Sequence, residues 1–99
     1  MNIMATRVIE TCLDGTSTIE KTLDQAIDRR FIYHLGALGN LEYFADFSRP
    51  FFRITRHGAF IIKGVEGGNT FEVFIISASS DPEQELASLI CRFRPVNGS

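Results

Sequence analysis

Between Leu41 and Ser77 the chain reads LEYFADFSRPFFRITRHGAFIIKGVEGGNTFEVFIIS, a stretch that holds eight of its eleven aromatic residues. Runs rich in Phe, Ile and Val alternate there with Ser48-Arg49-Pro50, His57-Gly58 and Glu66-Gly67-Gly68-Asn69. Short β-branched and aromatic runs bounded by such turn residues are what strands and hairpins require. The stretch therefore predicts consecutive antiparallel strands, and the rest of the chain has to pack against them.

Register follows from the turns. A two-residue turn at His57-Gly58 would set Arg56 opposite Ala59, Ile54 opposite Ile61 and Phe52 opposite Lys63. A four-residue loop from Glu66 to Asn69 would set Val65 opposite Thr70, Lys63 opposite Glu72 and Ile61 opposite Phe74. The Lys63–Glu72 pair supports this register, because opposite charges across a ladder stabilise it by roughly 0.2 to 1 kcal/mol. One face then carries Phe51, Phe60, Ile62, Phe71, Val73 and Ile75, with Arg53 as its charge. The other carries Phe52, Ile54, Ile61, Phe74 and Ile76, with Arg56, Lys63 and Glu72 among them. Both faces are too apolar to be left to water, so each needs a cover.

The flanking segments supply covers. Ile3 to Leu13 reads as an edge strand closed by Asp14-Gly15. Ser17 and Glu20 have the spacing of a capping box, and Ile19, Leu23, Ile27, Phe31 and Leu35 recur every four residues as far as Gly36. This predicts one helix of about 30 Å lying across the Phe51 and Phe71 face. A second helix is announced by Asp81 as N-cap and Pro82 at the first helical position, carries Leu86, Leu89, Ile90 and Phe93, and stops at Pro95. Residues 95–99 are expected to fray. The order β-α-β-β-β-β-α describes one α+β domain over residues 1–99, with a single antiparallel sheet of about five strands and one long and one short helix. If the second helix packs beside the first, the Ile61 and Phe74 face stays open; if it packs opposite, the sheet is covered on both sides.

A hydrophobic content of 44% with 22% charged residues is that of a globular protein. No apolar run approaches the roughly 20 residues of a membrane span, and Met1 to Glu10 lacks a basic flank leading into an apolar core, so a cytoplasmic location and no membrane partner are expected. Cys12 and Cys91 stand far apart without a CxxC pattern, which predicts buried free thiols, no disulfide and no zinc site. The net charge of −2 hides a basic middle, since six of the ten Lys and Arg residues lie between Arg29 and Lys63.

No motif commits the chain to a chemistry. His34 and His57 lack partners at metal-ligand spacing, Cys12 is flanked by Glu10 and Asp14, and the Gly64–Gly68 segment lacks the Lys-Ser/Thr ending of a phosphate loop. Glu42 and Asp46 share a strand face, which solvent exposure explains as well as acid–base work does. A catalytic activity, a metal and a cofactor are therefore not expected. The expected role is a binding module that self-associates, or docks a protein, through Phe52, Ile54, Arg56, Ile61, Lys63, Glu72, Phe74 and Ile76. One alternative is a sensor that meets a small anion at Arg29, Arg30 and His34. Another is single-stranded nucleic acid on Arg49, Arg53, Arg56 and His57 beside Phe51 and Phe52, although no RNA-recognition consensus is present.

Overall fold

The computed structural model describes residues 3–11, 16–76 and 82–93. Strands β1 (Ile3–Thr11) and β2 (Ser17–Leu23) form a hairpin, and helix α1 (Arg29–Leu35) runs into a 3₁₀ turn (Gly36–Leu38). Strands β3 (Asn40–Phe44), β4 (Phe51–Arg56), β5 (Phe60–Val65) and β6 (Thr70–Ile75) form a meander, and helix α2 (Pro82–Arg92) follows. All six strands belong to one antiparallel sheet in the order β1-β2-β6-β5-β4-β3. The fold is the expected α+β class, with one strand more than the sequence suggested.

That extra strand lies where the first half of a long helix was expected. A four-residue spacing is also a multiple of two, so Ile19 and Leu23 share a face on a strand as readily as on a helix. The residues between them decide the matter. Thr16, Thr18, Ile19 and Thr22 are β-branched and stiff at χ1, which favours the pleated conformation. Lys21 fits the same inward face, with Nζ donating to Thr6 Oγ1 at 3.0 Å. The helix proper begins after Asp28, whose Oδ1 accepts from the Phe31 N–H at 2.8 Å. It therefore has seven residues, and Asp28 replaces Ser17 as its cap.

The chain between β2 and α1 is fastened to the β5–β6 turn. Leu23 N–H donates to Asn69 O, Ile27 N–H to Gly68 O and Gly67 N–H to Ile27 O, each at 2.7 Å. This holds α1 over the same sheet face as α2. Phe31 and Phe93 meet edge to face at 5.2 Å, and His34 Nε2 lies 2.7 Å from Leu89 O. Both helices thus share one side. Beneath them Phe31, Ile32, Leu35, Leu86 and Ile90 pack on Phe52, Ile54, Phe60, Ile62, Phe71 and Val73 in a single buried cluster. Each side chain of this size contributes roughly 1.5–3 kcal/mol when fully buried.

The β4–β5 register differs by one residue from the expected one. Arg56 pairs with Phe60, so the connection is the three-residue turn His57-Gly58-Ala59, with Gly58 at φ 74° and Ala59 N–H returning to Arg56 O at 3.0 Å. A one-residue slip exchanges the two faces of a strand. Phe52 and Ile54 therefore point into the core, while Phe51, Arg53 and Thr55 turn outward. The β5–β6 pairing is as expected, with Lys63 opposite Glu72 and Ile61 opposite Phe74. Cys91 is free but exposed, not buried. Cys12, the Asp14-Gly15 turn, Asp81 and residues 95–99 lie outside the described residues.

Gly64 shows how tightly the inward face is packed. It lies between Phe52 and Phe71 in the ladder, and a Cβ there would sit 2.7 Å from two carbons of the Phe52 ring and 3.1 Å from Phe71 Cβ. Gly64→Ala should therefore destabilise the protein by about 1–3 kcal/mol, the usual cost of overpacking. Urea unfolding checks this, and an unchanged midpoint would mean that the Phe52 ring has room to move aside.

Candidate functional site

Among the described residues, both helices lie on one side of the sheet, and on the opposite face the loop side chain Phe47 meets Phe51 at one end. Following the ladder from β3 to β1, one residue of each strand lines up across it: Glu42, Arg53, Lys63, Glu72, Glu20 and Arg7. All six are charged, with signs −, +, +, −, −, +. The outer members are paired within the chain. Arg53 Nε and Nη2 donate to Glu42 Oε1 at 3.0 and 2.8 Å, and Arg7 Nη2 lies 3.4 Å from Glu20 Oε1. Lys63 and Glu72 form no ion pair among the described residues. Arg53 stands directly opposite Lys63, and Glu72 directly opposite Glu20, so two like-charge pairs sit side by side. Like charges facing each other across a ladder are unfavourable. This row would welcome countercharge from outside.

The rows on either side are apolar at the middle of the sheet. On one side Ile61 faces Phe74, with Thr55 and Thr18 as their outer partners. On the other side Phe51 faces both Val65 and Phe44, while Thr70 faces Thr22 and Thr22 faces Ala5. Phe74 and Val65 are about two-fifths exposed, as is Ile76 just beyond β6. Phe44, Phe47 and Phe51 make an aromatic cluster, with the Phe44 and Phe51 rings stacked at 4.6 Å. Beside it a cleft of about 590 Å³ opens over β4 and β5, bordered by Phe44, Phe51, Arg53, Lys63, Val65, Thr70, Glu72 and Glu20. A smaller hollow of about 270 Å³ lies between Thr18, Ile61, Lys63, Glu72 and Phe74.

The residues singled out from sequence are distributed by this geometry. Of the interface set, Ile61, Lys63, Glu72 and Phe74 come together on the open face, with Ile76 at its margin. Phe52 and Ile54 are fully buried under the helices. Arg56 is on the helix side, held by the Glu85 carboxylate of α2 and lying 5.5 Å over the Phe60 ring. Arg49, Arg53, Arg56 and His57 do not form one surface: Arg49 and His57 sit in turns at opposite ends of β4, and the other two point to opposite faces. Arg29, Arg30 and His34 have local partners. Arg29 reaches the Tyr43 hydroxyl, which donates to Glu66, and His34 joins α1 to α2 through Leu89 O and the Phe93 ring. Arg30 is likewise engaged. No group of three metal-ligating side chains occurs among the described residues, and none of their helices is long and apolar enough to cross a membrane.

Sequence reasoning missed Arg7, Glu20, Glu42 and Arg53 as members of the open face. Glu20 becomes readable as an outward residue only once Ser17–Leu23 is treated as a strand. Comparison of the chain with protein-family models, with curated proteins and with solved structures returns no match.

Among the described residues, four groups outside the row have displaced titrations, Arg29, Tyr43 and Arg56 upward and Glu85 downward. The hydrogen bond to Glu66, helped by burial, raises the Tyr43 phenol above its ordinary value, with Arg29 opposing. The hydrogen bond from Arg56 lowers the Glu85 carboxyl below the usual 4.5, with burial opposing. A depressed folded-state pKa gives stability that is present above the unfolded value and lost as pH falls through the folded one. Acid unfolding below about pH 4.5 should thus be less steep in Glu85→Gln than in the parent protein. Fluorescence-monitored pH titration of both proteins checks it, and coincident curves would show that Arg56 and Glu85 are too well solvated to matter.

Proposed function

We propose that the protein is a non-catalytic interaction module that self-associates through the open sheet face, burying it against the same face of a second copy. The carrying observation is the sign pattern of the charged row. It is antisymmetric about the seam between β5 and β6: −, +, + on one side and −, −, + on the other. A two-fold axis running along the strands at that seam, midway between two stacked sheets, sets β5 over β6, β4 over β2 and β3 over β1 of the second copy. Lys63 then faces Glu72, Arg53 faces Glu20 and Glu42 faces Arg7, in both directions. The contact is isologous and every charge meets its opposite.

One neighbouring row fits the same operation. Ile61 falls over Phe74 and Thr55 over Thr18, so the apolar pair nearest the axis packs against its own copy and the hydroxyls lie outside it. Stacked sheets pack about 10 Å apart with strand directions within about 30°, which keeps the pairs nearest the axis in register and leaves the outer ones to longer side chains. Six strands at about 4.8 Å spacing and roughly 20 Å of strand length give a footprint of about 500 Å² per copy. The total of about 1,000 Å² lies at the lower edge of specific interfaces, the size of weak or transient contacts. The three acids in the row oppose a nucleic-acid backbone on the same face.

Sedimentation velocity across a concentration series tests the reading. The parent protein should dimerise, and Ile61→Lys should give a folded monomer because Ile61 is outside the buried cluster. Lys63→Glu should weaken the dimer by at least about tenfold, the order expected for mispaired interface charges. Lys63→Glu combined with Glu72→Lys restores the antisymmetric pattern and should restore association. A parent protein monomeric at millimolar concentration, or a double variant no better than either single one, would sink the proposal.

A further inference from the structure

We infer that the cleft over β4 and β5 is a binding site for a neutral, planar aromatic molecule of one or two fused rings. It belongs to a single copy of the chain, so it does not rest on the self-association proposed above.

Size and lining give the class. About 590 Å³ falls within the 300–1,000 Å³ of small-molecule sites, and the space is bordered by Phe44, Phe51 and Val65 with the Thr70 hydroxyl at its edge. Phe44 and Phe51 are already stacked on each other, and Phe51 stands opposite Val65 across the ladder. A flat apolar ring adds to such a stack in offset or edge-on geometry, with centroids about 4.5–7 Å apart. The wall therefore selects for an aromatic body.

Charge balance decides the rest. The cleft is closed on one side by the charged row, which brings Arg53, Lys63, Glu72 and Glu20 to its border. Two cations and two acids leave no net charge there, Arg53 is held by Glu42, and Glu20 by Arg7. A polyanion would meet Glu20 and Glu72, and a polycation Arg53 and Lys63. A neutral ring with one hydrogen-bonding edge avoids both penalties and can still reach Lys63 or Glu72 with that edge. Arg53, Lys63, Glu72 and Glu20 also carry the proposed contact between copies, so a ring in the cleft and a second copy would compete for this part of the face.

Titration with indole, followed by ¹H–¹⁵N correlation spectra, is the test, with indole-3-propionate and tryptamine as charged analogues. Indole should saturate with a Kd of order 1 mM or tighter, with shifts concentrated at the amides of Gly64, Val65 and Thr70. Val65→Trp, which fills the cleft from an exposed position, should weaken indole binding at least about tenfold, and Thr70→Phe should act in the same direction if the first variant folds poorly. Ile61→Lys, outside the cleft and expected to be monomeric, should bind indole at least as tightly as the parent does. Absence of saturation by about 10 mM, scattered shifts, or unchanged affinity in folded Val65→Trp would overturn the site. Binding of either charged analogue more than about tenfold tighter than indole would overturn its neutrality, and loss of binding in folded Ile61→Lys would overturn its location within one copy.

Discussion

The three-residue turn at His57-Gly58-Ala59 is the constraint from which the rest of the arrangement follows. With Gly58 in the left-handed region, Arg56 closes on Phe60, and the parity of every residue in β4 is set relative to β5. Phe52 and Ile54 then join Phe60, Ile62, Phe71 and Val73 beneath the helices. Had the turn held two residues, Phe51 would point inward and Phe52 and Ile54 outward, and the charged row would lose Arg53 to the helix side. Core composition and surface pattern are thus two readings of one local backbone conformation.

The sequence carries the meander plainly, because its strands are short, β-branched and separated by Gly, Pro and Asn. It carries the β5–β6 register plainly as well, since Lys63 opposite Glu72 distinguishes the correct alignment from a slipped one. Two other features are degenerate in sequence. Apolar residues every four positions satisfy a helix and a strand alike, so Ile19 and Leu23 could not reveal which of the two the chain adopts. The Thr content of Ser17–Leu23 was the better guide, but its weight becomes clear only when β6 is there to pair with β2. Likewise His57-Gly58 is compatible with two-residue and three-residue turns, and what selects between them is tertiary: only the three-residue turn sets Phe52 and Ile54 beside Phe60 and Ile62 beneath the helices.

The candidate site was partly legible for the same reason. Ile61, Lys63, Glu72 and Phe74 lie on the two strands whose register is readable, and they form the middle of the open face. Phe52, Ile54 and Arg56 come from β4 and went to the wrong side with its parity. Arg7, Glu20 and Glu42 come from the hairpin and the edge, whose placement in the strand order depends on β2–β6 and β3–β4 pairing. A charged row assembled from six separate strands has no local signature, because its members are spread from residue 7 to residue 72.

Sheets of this kind can associate in two ways, and the two edges discourage one of them. The outer strand β1 is exposed over nearly its whole length, with Met4, Val8 and Ile9 among its open side chains. A straight strand of that kind would invite pairing with another edge. Its ladder to β2 is instead broken twice, between Ile3 and Ala5 and between Val8 and Glu10, and such irregularities twist an edge out of register with a would-be partner. The other edge, β3, is only five residues long. Edge-to-edge growth, which has no natural stopping point, is therefore disfavoured on both sides. The proposed association therefore uses the face, where the charged row would admit one orientation of an identical partner and the contact would close on itself after two copies.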